Sequence, residues 1–155
     1  MTVDQRLVEL GLELPAPPKP VASYVPVALH GDVAFVAGQV AMQEGKPLAT
    51  GRVGEEVSVE EAQGLARRCA LQALAALKEA LGSLDRVRRI VKVTVWVASG
   101  EAFTEHSNVA NGASDLLVEV FGEAGKHARA AVGAPSLPLG VPVEVELVVG
   151  IAAGG

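Results

Sequence analysis

One arginine stands out for its setting. Arg129 lies in a run of small apolar residues, Ala128-Arg129-Ala130-Ala131-Val132-Gly133. A guanidinium stays charged, so in such a segment it needs an acidic partner or an anionic ligand. Glu144 and Glu146, two residues apart further along, are the candidate partners for an ion pair. The alternative is a ligand carboxylate, which a guanidinium grips with two parallel hydrogen bonds. Other familiar chemistry is missing. There is no glycine-rich nucleotide loop, no His-Glu-x-x-His and no Gly-x-Ser-x-Gly. His30, His106 and His127 are scattered, and their spacing predicts no metal site. His127 is near Arg129 in sequence, and a surface histidine is its simplest reading. Cys69, the single cysteine, falls in an apolar helical pattern and reads as a buried, inert thiol.

These residues must be positioned by a chain of 155 residues, a length that suits one domain. Apolar residues make up 50% and aromatic ones 3%, so the core must be built from Val, Leu and Ala. That much apolar surface on a small domain points to a subunit interface. Acidic residues outnumber basic ones, 18 to 13. The net charge of −5 opposes nucleic-acid binding. The one dense basic cluster, Arg86, Arg88, Arg89 and Lys92, reads as a solvated turn entering a strand. No segment is long and apolar enough for a membrane span, and the N-terminus lacks a signal-peptide pattern. A cytoplasmic protein is expected.

The elements follow from periodicity. Val3 to Leu10 suits a short helix. Pro15, Pro17, Pro18 and Pro20 then force an extended strap, so residues 1–20 read as an appendage and 21–155 as the domain. Tyr24 to Leu29 and Val33 to Met42, split at Gly31, suit a hairpin. Gln43 to Gly54 reads as loop. Ser58 and Glu61 have capping-box spacing. Apolar steps of three and four from Ala62 to Leu81 then mark a helix that Gly82 ends. Val87 to Ala98 alternates, with Val91, Val93, Val95 and Val97 on one face and Lys92, Thr94 and Trp96 on the other. A second helix is expected from about Phe103 to Phe121, stopped at Gly122. Short strands follow at Ala128–Gly133 and Val143–Ile151. The order β-β-α-β-α-β-β predicts an α+β domain with both helices on one face of a mixed sheet. The other face would carry Lys92, Thr94, Trp96, Glu144 and Glu146, with Arg129 as a further candidate. No element of the chain is left to cover it, so another subunit is expected there.

The segments Ala128-Arg129-Ala130-Ala131-Val132, Leu137-Pro138 and Val143-Glu144-Val145-Glu146 together resemble the C-terminal signature of the RidA/YjgF family. Ala22-Ser23-Tyr24 resembles that family's Gly-Pro-Tyr, and Ala37-Gly38-Gln39 its Ser-Gly-Gln. Asn111 resembles an asparagine of its second helix. The resemblance implies a chorismate-mutase-like fold and a homotrimer with clefts between subunits. It implies cofactor-free hydrolysis of 2-imino acids to 2-keto acids and ammonia. Arg129 would then clamp the substrate carboxylate and Glu144 hold the attacking water. Tyr24, Ala37, Asn111 and Ala131 would line the pocket, and no metal is implied. Ala37 and Ala131 replace the family's serine and cysteine, and His127 its proline. Those losses leave open a trimer that captures small carboxylates without turnover. The older endoribonuclease label of the family fits the acidic chain least well.

Overall fold

A computed structural model describes residues 1–19 and 22–153. Its main sheet has five strands in the order β1-β2-β7-β5-β6. These are β1 (Val27–His30), β2 (Val33–Val40), β5 (Val87–Ala98), β6 (Ala128–Ala134) and β7 (Val143–Ile151). A two-residue hairpin, β3 (Met42–Gln43) and β4 (Lys46–Pro47), lies in the stretch expected to be loop. Its turn holds Glu44 and Gly45, both at positive φ. Among the described strands only β5 and β6 pair in parallel. A parallel pair needs a crossover, and α3 (His106–Phe121) supplies it. The fold is therefore α+β with a mixed sheet, as the order of elements requires.

The long helix α2 (Val59–Leu81) forms as its stripe predicts, with Ser58 Oγ accepting from the Glu61 N–H at 3.1 Å. Gly82 ends it at φ 81°, the left-handed conformation that glycine adopts without a Cβ penalty. The complete capping box belongs instead to the short helix α1 (Val3–Glu9), between Thr2 and Gln5. The strap after α1 carries no regular structure through Lys19; Pro20, and Val21 at the boundary of the expected domain, lie outside the described residues. Gln72 of α2 ties the strap down by donating to the Ala16 carbonyl at 2.8 Å. Helix α3 starts at His106, three residues later than periodicity suggests, because Phe103 closes a turn onto the Gly100 carbonyl.

Both long helices cover one sheet face. Val93, Val95 and Val97 of β5 and Val143, Val145, Leu147 and Val149 of β7 are buried beneath them. The α2–α3 crossing is close enough that a Cβ at Gly112 would collide with the Gln63 backbone. Backbone cannot yield as a flexible side chain does, so Gly112→Ala is expected to cost about 1–3 kcal/mol. A thermal unfolding scan that left the midpoint unchanged would show that the crossing can open to take a methyl group.

Two expectations about sheet faces change. Val91 does not join the buried valines. The β5–β7 register slips between Ile90 and Lys92, and this bulge leaves Val91 43% exposed while Ile90 is buried. Arg129 does not lie on the uncovered face. It sits opposite Val93 in the β5–β6 ladder, on the helix side of an edge strand. An ion pair with Glu144 or Glu146 is thereby excluded within the chain, because those residues alternate onto the other face.

Candidate functional site

The uncovered face carries Lys92, Thr94, Trp96, Glu144 and Glu146, together with Phe35, Val132 and Val148. Phe35 is 48% exposed. A shallow depression of about 400 Å³ on this face is lined by Ala37, Phe35, Lys92, Thr94 and Glu146, among others. Beside it, β2 bulges. Its register against β7 slips between Val36 and Gln39, so Ala37 and Gly38 stand out of the ladder. Gly38 is there for a spatial reason: a Cβ would occupy the position of the Glu144 carboxylate. Glu144 is thus laid against bare backbone and half-buried. Burial pushes its carboxyl pKa above the ordinary value, and the neighbouring Glu146 pushes it the same way.

Arg129 is held at the opposite side of the sheet. One Nη donates to Asn111 Oδ1 at 2.8 Å and to Ser114 Oγ at 3.2 Å, both on α3. Ser114 also meets His127 Nε2 at 2.8 Å, and His127 Nδ1 meets the Gly125 carbonyl at 2.6 Å. A carbonyl can only accept, so Nδ1 carries a proton, and in the neutral ring Nε2 then accepts from the serine. Ser114 Oγ then offers a lone pair to Arg129. The result is a chain of bonds in one direction, from the Arg129 donor through Ser114 and His127 to the Gly125 carbonyl. No carboxylate pairs with Arg129 among the described residues. Its partners are neutral, and the residue as a whole stays exposed.

The expected site residues therefore fall into separate groups. Arg129 and Asn111 meet directly. Ala131, two residues on, shares their face and packs against the core. Glu144 and Ala37 belong to the bulge on the uncovered face. Tyr24, 55% exposed, is not a core aromatic and lines a cavity beneath the strap. Arg129 is level with Leu147 and Glu144 with Val132, three residues and two strands away. That separation is on the order of 14 Å at standard sheet spacings. With side chains on opposite faces, the two cannot share a small ligand within one chain.

His127 reads from the sequence as a surface histidine, and its place behind Arg129 is a correction, since it is half-buried and fully engaged. Ser114 is a further site residue that the sequence pattern did not single out. Ser114 had a signal that could have been used: it lies three residues after Asn111, on the same helix face. Cys69 is buried, and desolvation raises its thiol pKa to about 12, which keeps it inert. Among the described residues no three His, Cys, Asp or Glu converge as a metal site. Nor, among them, is any helix long and apolar enough to cross a membrane.

Residues 4–151 match the family described as "YjgF/chorismate mutase-like, putative endoribonuclease". Protein TCP17 of Trypanosoma cruzi is 47% identical over 148 residues, spanning 95% of this chain and 92% of that protein. A solved protein of unknown function from Agrobacterium tumefaciens is 44% identical, with a TM-score of 0.89 over 98% of this chain and 93% of its own. A solved Shewanella oneidensis protein, also given the endoribonuclease description, is 35% identical, with a TM-score of 0.92 over 97% of this chain and 100% of its own. The chain belongs to the YjgF/chorismate mutase-like family.

Proposed function

We propose that this protein hydrolyses small 2-imino acids to 2-keto acids and ammonia, without a cofactor, in a cleft completed by a second copy of the chain. The observation that carries the reading is the division of the site. A carboxylate clamp, Arg129 with Asn111, stands on an edge strand. A carboxylate with a raised pKa, Glu144, stands on a face that no element among the described residues covers. Each is half of a site, and two copies packed through the uncovered face, where Phe35, Trp96, Val132 and Val148 lie among the charged groups, would bring one half of each together.

The chemistry asks little else of the protein. The iminium carbon is already electrophilic. Water adds to it, the C=N electron pair moves to nitrogen, and Glu144 takes a proton from the water and passes it to that nitrogen. The carbinolamine hydroxyl then gives its proton to Glu144 as its electron pair closes the C=O bond, the C–N bond breaks with its pair going to nitrogen, and the ammonia released takes the proton from Glu144 and leaves as ammonium beside the keto acid. Arg129 fixes the substrate carboxylate throughout. Positioning and general base catalysis are the contributions required. Ribonuclease action is the weaker reading, given the net charge of −5. Capture without turnover is the second reading, favoured by the absence of polar side chains at Ala37 and Ala131.

The test is release of ammonia and keto acid from freshly generated 2-iminopropanoate and 2-iminobutanoate. Steady binding of the keto acids with no release would leave the capture reading. The quaternary expectation is a homotrimer. Light scattering at micromolar concentration should give about three times the 15.9 kDa chain mass, and a monomer would sink the shared cleft.

A further inference from the structure

A cavity of about 820 Å³ opens between the strap, the β3–β4 hairpin and α2. It approaches the bulge only at Gly38; Glu144, Ala37, Arg129 and Asn111 do not line it. Its walls are mostly apolar: Pro15, Pro17 and Pro18 of the strap, with Val40 and Met42 opposite. The bond from Gln72 to the Ala16 carbonyl holds the strap over it.

Arg68 faces this space with its charge unmatched. Its Nη2 donates to the Met42 carbonyl at 3.2 Å, while Nε is buried with no acceptor. No carboxylate lies within ion-pair distance among the described residues, although Arg67 beside it pairs with Glu119 at 2.9 Å. A half-buried guanidinium cannot shed its proton and is costly without an anion. Two buried amides stand with it. Gln39 and Gln72 are 6% and 7% exposed and line the same cavity. Each spends one N–H, on the Ala37 and Ala16 carbonyls, and keeps its other polar positions for a ligand. Lys19 adds a second positive charge to the lining and Glu44 the one negative charge.

We infer that this cavity binds an amphipathic carboxylate, its acid group on Arg68 and its apolar body against the strap prolines and Met42. The volume lies within the range of about 300–1,000 Å³ typical of small-molecule sites, enough for an apolar body of about six to ten carbons. One partly engaged guanidinium matches a single carboxylate. The acid-binding group differs from that of the imine reading: the cavity shares Tyr24 with the expected pocket and touches the bulge at Gly38, but neither Arg129 nor Glu144 lines it.

Calorimetric titration of the full chain with hexanoate, octanoate and decanoate tests it, with octylammonium as the cationic control. Affinity should tighten about fourfold per methylene until the cavity is filled, and octylammonium should not bind. Arg68→Met should weaken octanoate at least tenfold. Met42→Trp should abolish binding by filling the cavity while leaving the main-chain acceptor of Arg68 in place. It decides the matter alone if Arg68→Met fails to fold. Arg129→Ala should bind octanoate as the parent does, whatever it does to imine turnover. Equal binding of octanoate and octylammonium, no binding of any acid, or octanoate binding undiminished in Met42→Trp would overturn the assignment.

Discussion

Replacing Arg129 by alanine is expected to lower kcat/KM for 2-imino acids by roughly 10²- to 10³-fold while the folded assembly persists. Removing one partner of a hydrogen-bonded charge pair costs about 2–5 kcal/mol, and the substrate carboxylate would lose its only clamp. Stability should barely move, by about 0.5 kcal/mol or less, because Arg129 is exposed and bonded to neutral partners. Arg129→Lys should recover only part of the loss, since an ammonium cannot form the two parallel bonds of a guanidinium. Parallel measurement of turnover and melting temperature checks both halves. Unchanged turnover in a well-folded Arg129→Ala protein would remove the residue from the site.

The second large effect belongs to Glu144. Glu144→Gln keeps the shape against Gly38 and removes the proton acceptor, so kcat should fall about 10²- to 10⁴-fold with little change in KM. Two pH signatures accompany it. Activity of the parent should rise with pH along an acid limb lying above the ordinary carboxylate range, because burial and then Glu146 raise the Glu144 pKa. Stability moves the other way. A carboxyl whose folded pKa is raised binds its proton more tightly in the native state, so the ionised form destabilises the fold. That penalty sets in as pH rises from the ordinary carboxylate value through the raised one. Glu144→Gln should therefore melt higher than the parent near pH 8 and alike at pH 4. A parent acid limb at or below the ordinary carboxylate value would exclude Glu144 as the base.

Local pattern in the chain specifies the long helices and the main strands, but not the β3–β4 hairpin, whose residues read as loop. Ser58, the stripe from Ala62 to Leu81 and Gly82 specify a helix through local geometry, and the alternation in β5 and β7 specifies strands with one buried face. The small-residue run around Arg129 and the paired glutamates marked the residues that the proposed function uses, and their spacing carried the family likeness. Tertiary structure decided which side of the sheet each one faces. That depends on ladder register, which neighbouring strands set. The slip between Ile90 and Lys92 turns Val91 outward, and the parallel pairing of β6 with β5 sets Arg129 on the helix side. Neither shift leaves a mark in periodicity, because a bulge preserves composition and changes only the count of residues between rungs. The hold of Ser114 and His127 on Arg129, and the strap folded over Arg68, join residues distant in sequence, so their meeting waits on the folded chain.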